Sequence, residues 1–571
     1  MKNLRGDILG GVTAGIVALP LALAFGVTAF SVLTHYGYSL EEASSIGAKA
    51  GLYGAIGLSI LAAIFGGTAT QISGPTAPMT TVSIKVVAVA LTGAAVASQA
   101  DTLDRALPMI LATFMVGGLM QISFGILKLG KYIRFIPYSV VSGFMTGIGV
   151  IIIITSIFPF FGSANPIEEG FAPSLGVILN IHELPQQINW QAALLSVLSI
   201  AIIYLFPRIN KVIPSPLVAL ILVSAFSYFV LHPDSVTVIG TIPQELPAIH
   251  FEMFTWFTVA EWEIILMYGL ALSVLGLIDS LLTSVVADNI TKTKHDSNRE
   301  LIGQGIGNVA VAFLGGLPGA GATMRTVVNV KSGGKTRLSG VISGLLLLVI
   351  LLVAAPLVGH IPQPVLSGIL ITVGIGIIDY KGIGHIRKIP TSDAIVMVVV
   401  LLLTVFWDLI MAVGFGMVIA SIAFMKKMSE IAEENTEMAE LSEHMDEIQW
   451  EDEVKISDED AKKVYIKHLY GPLFFGFSTR LKEMVSQLPD IKVFIIRMER
   501  VPYMDQSGTY ALEEIISDLK DKGITVVITG LQDQPSITME RMHIIPDLVE
   551  SKHVFKDITD LSGIIHEILG E

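Results

Sequence analysis

Hydrophobic positions along this chain do not alternate with polar ones; they run together for a helix-length stretch, then break for a short polar connection. Fourteen such segments can be read, at 8–29, 50–66, 72–96, 106–129, 136–158, 190–206, 215–231, 259–287, 301–315, 318–330, 338–358, 362–378, 391–407 and 408–425. Roughly 20 apolar residues span the hydrocarbon of a bilayer, so the pattern predicts fourteen membrane-crossing helices. The third segment holds an oddity: "QISGPTAPMTTVS" (71–83) puts two prolines, a glycine and five hydroxyl residues where lipid should be. After 427 the pattern changes. "SEIAEENTEMAELSEHMDEIQWEDE" (429–453) is acidic and lacks Gly and Pro, which predicts a solvated helical linker over 428–453. From 454 to 571 strand-like runs ("KVYIKHL", "VFIIRM", "ITVVITG") take turns with amphipathic ones ("STRLKEMVSQL", "SGTYALEEIISDLKDKG", "LSGIIHEILG"), the signature of a small α/β domain.

Composition agrees with the spans. The chain is 52% hydrophobic and 15% charged, against about 25% charged residues in soluble domains, and its mean hydropathy is +0.69. Absence of cysteine excludes disulfides, thiolate metal sites and cysteine nucleophiles. The opening "MKNLRGDILGGVTAGIVALPLALAFG" has the outline of a signal peptide, but the many spans behind it predict an uncleaved first helix. Charge orients the bundle. With the N-terminus inside, the inner connections carry Lys128, Lys131 and Arg134; Arg208 and Lys211; Lys292, Lys294 and Arg299; Lys331, Lys335 and Arg337; Lys381, Arg387 and Lys388; and Lys426 and Lys427. The outer ones carry little beyond Lys49 and Arg105. This predicts both termini in the cytoplasm of a multi-pass protein of a bacterial inner membrane. The net charge of −14 says little about ligand sign, because most acids lie in the C-terminal third.

Two stretches occur twice. "IPYSVVSGFMTGIGV" (136–150) matches "IPQPVLSGILITVGI" (361–375), and "FGGTATQISGPTAPMTTV" (65–82) matches "LGGLPGAGATMRTVV" (314–328). Each pair is seven segments apart. Seven is odd, so the halves cross the membrane in opposite senses, as an inverted repeat. A matched pair of Gly/Pro-broken segments is the sequence pointer to a transporter's binding site. Unwound backbone at membrane depth survives only where protein or a wet cavity surrounds it. The two helix starts, near Thr76 and Thr323, are therefore expected to face one another with free N–H groups and partial positive charge, which suits an anion.

Few ionisable residues lie within the spans. Asp279, in "GLIDSLLTSVV", costs about 2.5–3.5 kcal/mol on insertion scales and needs a proton or a cation. Thr283, four residues on, shares its helix face. Together with carbonyls freed at Gly321, Ala322 and Thr323 they form an all-oxygen set suited to a hard cation such as sodium. A protonated Asp279 bonded to a neighbouring helix is the structural alternative. For Arg325 three roles stand open: charge at the anion site, snorkelling, or pairing with a carboxylate. Lys85 reads as packing or interface, and Glu300 and Gln304 as capping groups near a helix start.

"GGTATQISGPTAPMT", "DSLLTSVVAD", "LGGLPGAGATMRTVVNVKSGGKT" and "LRGDILGGVTAGIVALPLALAFG" closely resemble the SulP family of anion transporters, over essentially the whole chain. Within that family the resemblance is nearest to the BicA-type sodium-dependent bicarbonate transporters. It implies a UraA-like fold of seven plus seven helices, with a core of spans 1–4 and 8–11, a gate of spans 5–7 and 12–14, an elevator-type cycle and a homodimer. It places sodium at Asp279, Thr283, Gly321 and Thr323, and maps Thr76 to the threonine before the span-three half-helix; with the helix starts read above, the anion is expected at Thr76, Ala77, Gly321, Ala322, Thr323 and Arg325. Family members with Glu at the Asp279 position are proton-linked. Where the BicA type reads "ISEPTGPMT", this chain reads "ISGPTAPMT", with Gly74 for Glu and Ala77 for Gly.

"MDQSG" (504–508) resembles the STAS signature, with Asp505 at the helix start and Ser507 at the position phosphorylated in anti-sigma-factor antagonists; a plain N-cap asks for the same residues. No Walker A sequence is present, so the tail does not read as an ATP motor, and no nucleophile–base grouping points to an enzyme. The expected function is sodium-coupled bicarbonate symport without a further cofactor or nucleic-acid partner. The alternatives are a proton-coupled sulfate or dicarboxylate transporter and, from another class, an uncoupled anion channel or a membrane-tethered STAS signalling protein.

Overall fold

In hydrocarbon every backbone N–H and C=O has to find its partner within the protein, and a helix does so within one segment. The apolar runs accordingly become α1 (Leu4–Phe30), α2 (Leu40–Phe65), α3 (Ala77–Ala94), α4 (Gln99–Ile126), α5 (Tyr138–Thr155), α6 (Trp190–Leu205), α7 (Ser215–Val230), α8 (Val259–Thr291), α9 (Ser297–Phe313), α10 (Thr323–Lys331), α11 (Arg337–Gly359), α12 (Gln363–Ile377), α13 (Thr391–Phe406) and α14 (Leu409–Glu434). This computed structural model describes residues 3–94, 99–166, 173–210, 213–231, 235–242, 244, 246–407, 409–434, 438–440, 462–473, 491–556, 561 and 567–568. Among them, nine helices are long and apolar enough to cross a membrane, and α7, α12 and α13 are shorter apolar ones. The 17-residue α9 and the 9-residue α10 flank the second break.

Several helices outrun the apolar stretch that announced them, because their polar first turns are capped. Ser39 and Glu42 form a capping box ahead of α2, with Glu42 N–H donating to Ser39 Oγ at 3.1 Å and Ser39 N–H to Glu42 Oε2 at 2.8 Å. Thr258 and Glu261 form the same box at the start of α8, which begins where expected and runs for 33 residues, past its expected end at 287. Helix α14 extends to Glu434, well past the expected end at 425.

The chain divides at Met417 into two compact units. In the first, α1, α2, α4, α8, α9 and α11 pack on one another, as do α5, α6, α12 and α13. Two short strands, β1 (Ser73–Gly74) and β2 (Ala320–Gly321), lie directly before α3 and α10 and pair antiparallel.

The second unit contains a five-stranded sheet of β3 (Met438–Glu440), β4 (Val464–Tyr470), β5 (Val493–Arg500), β6 (Thr525–Thr529) and β7 (Val554–Phe555), in that order. Strands β4 to β7 run parallel, and β3 pairs antiparallel with β4. Helix α15 (Gln506–Asp521) buries Leu512, Ile515, Ile516 and Leu519 against Phe494, Ile496 and Ile528. α16 (Asp533–Arg541) follows. Strand β3 falls inside the stretch expected to be a helical linker, and pairs antiparallel with β4 instead. The helices expected at 478–488 and 561–570 lie largely outside the described residues.

Candidate ion-binding site

Both breaks unwind where Gly and Pro interrupt the segment, and the freed backbone of each is taken up by the other. Ser73 pairs with Gly321 and Gly74 with Ala320. Beyond the ladder, Ala322 N–H donates to Ile72 O at 2.9 Å, and Ile72 N–H donates to Thr326 Oγ1 at 3.1 Å. Ser280, on α8, accepts from Gly321 N–H at 3.1 Å. Asn308, on α9, holds both polar groups of Gly319, at 2.9 and 3.0 Å. Strands so close require glycine: a Cβ at Gly319 would overlap the carbonyl of Gly74.

Two helix starts leave this crossing without a side-chain cap. The residue before α10 is Ala322, which has no acceptor to offer, and no side chain caps the helix. Before α3 stands Thr76, whose Oγ1 is shielded from solvent with no hydrogen-bond partner among the described residues. The second residue of α3, Pro78, has no N–H at all. Helix α3 is 18 residues long, so only α10, with 9, is a half-helix in length. Uncapped first-turn N–H groups in a buried place are the ordinary means of holding an anion.

The charged groups at the crossing are Asp279 and Arg325. Asp279 is half-buried, and its Oδ2 is shielded and without a partner among the described residues. Thr76 and Arg325 lie close to its carboxylate. Arg325 is 1% exposed, which excludes snorkelling. Its Nη2 donates to Pro75 O at 2.9 Å, while Nε and Nη1 have no partner among the described residues. A Cβ at Gly74 would overlap that Nη1, so glycine here makes the room the guanidinium occupies. One turn along α8, buried Thr283 donates to Gly321 O at 3.0 Å and lies 2.7 Å from Thr323 Oγ1. The structure thus gathers Thr283, Gly321 and Thr323 in one cluster and Thr76, Asp279 and Arg325 in a neighbouring one. Ala77 is buried in the first turn of α3, Ala322 is half-buried, and Thr323 and Met324 are exposed.

Residues 4–400 match the Sulfate permease family, and residues 455–561 match the STAS domain. The chain belongs to the Sulfate permease family. It is 39% identical to the bicarbonate transporter BicA of Picosynechococcus sp. over 545 residues, 95% of this chain and 91% of that one. Its fold superposes on the transmembrane domain of a cyanobacterial BicA with a TM-score of 0.63 at 42% identity, covering 72% of this chain and 97% of that one. Murine Slc26a9, an anion transporter solved in the inward-facing state, matches at a TM-score of 0.80 and 19% identity over 99% of this chain and 92% of that one, a likeness of fold. The SulP and STAS resemblances carried by the motifs therefore hold. The protein is a multi-pass membrane anion transporter and not an enzyme.

This Sulfate permease member also carries polar groups that the sequence reading assigned to capping. The cap of α9 is Asp296, which accepts from Asn298 and Arg299 N–H at 3.1 Å each. Glu300 and Gln304, 1% and 0% exposed, reach across to the first break instead. Glu300, Gln304 and Asn308 recur every four residues, and that polar stripe along an otherwise apolar helix is the sequence signal that the capping assignment passed over. Gln71, Ser280 and Thr326 had no such periodic signal, because their partners come from other segments. In the STAS domain Asp505 is the N-cap of α15, accepting from Gly508 N–H at 2.7 Å, and Ser507 is exposed in the first turn.

Proposed function

We propose that this transporter moves bicarbonate together with sodium, by an elevator-type cycle of fourteen spans with both termini cytoplasmic. The observation that carries the reading is the meeting of two uncapped helix starts beside a carboxylate with a shielded, unpartnered oxygen. Asp279, Thr283, Gly321 and Thr323 would hold sodium, with oxygen donors only, as a hard cation prefers. Thr76, Ala77, Ala322 and the two helix starts would hold the anion, with Arg325 behind them. Formal charges support one sodium and one monovalent anion. Asp279 and Arg325 cancel, and a lone bicarbonate would leave an uncompensated charge in a low dielectric, which sodium removes. The 39% identity to a bicarbonate transporter supports the same substrate.

Arg325 also gives a second reading its footing, because a buried cation is what a divalent anion such as sulfate asks for beyond two helix ends; sulfate or a dicarboxylate would then enter with protons. Uptake of labelled bicarbonate and labelled sulfate into liposomes holding the full-length protein, with and without sodium, separates the two. Saturable bicarbonate uptake that sodium stimulates is the expected result; uptake indifferent to sodium rejects the coupling. Homodimer formation and phosphorylation of Ser507 are carried as expectations of the family resemblance.

A further inference from the structure

Among the described residues Glu300, unlike Asp279, has both carboxylate oxygens fully engaged although it is 1% exposed. Glu300 Oε2 accepts the N–H groups of Gly67 at 2.9 Å and Thr68 at 2.8 Å. Its Oε1 accepts from Gln71 Nε2 and Gln304 Nε2, each at 2.8 Å. All four partners are neutral amides, so this is neither an ion pair nor a cap of its own helix. The two side-chain partners lead to the crossing. Gln71 accepts from Ser284 Oγ at 2.9 Å, one residue beyond Thr283 on α8. The Gln71 amide lies against Gly321 so closely that a Cβ there would overlap Nε2. Gln304 donates to Ser73 Oγ at 2.6 Å, and Ser73 is the residue that pairs with Gly321. Ser59 Oγ completes the hold by donating to Ser73 O at 2.8 Å.

We infer that Glu300 is a positioning residue for the anion site: without touching substrate, its carboxylate sets the relation of β1 to β2 and so the aim of both helix starts. This rests on the reading of the crossing as the anion site. Two features single out a carboxylate. It accepts on both oxygens and donates on neither, so it satisfies two backbone and two side-chain donors at once. A glutamine of the same shape has one accepting oxygen, and its NH₂ would face donors whichever way it turned. Because the donors belong to the connection before β1, to Gln71 and to α9 itself, misplacing the carboxylate moves the first break against the second. Loss of packing alone would lower the amount of folded protein without altering how well the survivors hold the anion.

The test is Glu300→Gln in the full-length protein in liposomes, with KM and maximal rate measured separately for labelled bicarbonate and labelled sulfate. The control is Ser196→Ala, which removes a comparably buried bond (Ser196 Oγ to Pro364 O, 2.8 Å) remote from the crossing. Expected is a rise in KM of at least tenfold in Glu300→Gln, with KM unchanged in the control. Should Glu300→Gln fail to insert, Gln304→Met removes the link to Ser73 while the carboxylate keeps its other three partners, and a severalfold rise in KM is expected. An unchanged KM with a maximal rate that falls in step with folded protein overturns the inference and makes Glu300 a stability residue. Wild-type protein without saturable uptake of either anion would instead reject the anion-site reading, and this inference with it.

Discussion

Thr283→Val asks whether the Thr283 cluster is a sodium site. The Thr283 hydroxyl donates to buried Gly321 O and meets exposed Thr323. Valine removes both contacts. The bond to Thr323 costs little, since water replaces it at an exposed hydroxyl. The bond to Gly321 is worth about 1 kcal/mol net. In the sodium-bound arrangement the same hydroxyl would be a direct oxygen ligand of a charge, and bonds to charged groups are worth about 1.5–3 kcal/mol. Only the difference, about 0.5–2 kcal/mol, weakens sodium binding, which corresponds to about 2- to 30-fold. The assay is the sodium concentration that half-saturates bicarbonate uptake into liposomes, taken at saturating bicarbonate. It is expected to rise by that factor in Thr283→Val and to stay within about twofold of wild type in Thr283→Ser, which keeps the hydroxyl. A half-saturation that does not move, in a variant whose thermal midpoint has dropped, would show that the hydroxyl only ties α8 to β2.

Asp279→Ala is expected to abolish sodium-stimulated uptake while the protein still inserts and elutes as a single species from size exclusion; full transport in that variant removes Asp279 from the mechanism. Arg325→Gln removes the buried positive charge at the crossing, and the KM for anion should rise by at least tenfold, more for sulfate than for bicarbonate because each added negative charge meets the same loss; equal KM values for wild type and variant would count against an electrostatic role. In the STAS domain, Asp505→Ala deletes the cap of α15 and should lower that domain's stability by about 1 kcal/mol, read as an earlier thermal unfolding transition, with sodium-dependent uptake retained.

The spans were legible because a bilayer imposes one length and one polarity on whatever crosses it, so hydropathy alone finds α1 or α11. The ends were less so. Hydropathy stops where side chains turn polar, whereas the helix stops where its caps say, which is why α2 starts at its Ser39 box and α14 runs into the acidic stretch. Glycine and proline at 74, 75 and 78, and at 318, 319 and 321, announced the breaks, but not what fills them. Two paired residues have no periodicity to detect, and β1–β2 became visible only when the two halves were brought together. Glu300 misled for a similar reason. An acid in the first turn of a helix looks like a cap in one dimension, and only the fold shows that Asp296 already holds that place and that Glu300 serves a segment more than two hundred residues earlier.

The antiparallel register of β1 and β2 is what an odd offset between repeats demands, since two copies of one motif meeting from opposite directions can pair only head to tail. Perfect symmetry, however, would give two equal helix starts and no direction to the charge between them. Divergence of the copies supplies it. The first carries Thr76 ahead of an 18-residue helix whose second residue is Pro78; the second carries Ala322 ahead of a 9-residue helix that includes Arg325. Arg325 then reaches back to the first copy, bonding Pro75 O in the space that Gly74 leaves open. Asp279 comes from neither copy of the break but from α8, so the carboxylate lies to one side of the axis that relates them. A site assembled this way has its cationic partner fixed by one repeat and its anionic partner by a separate helix. Under the proposed symport, ions of opposite sign would then have distinct places to sit within the same crossing, which is the physical requirement for carrying them together.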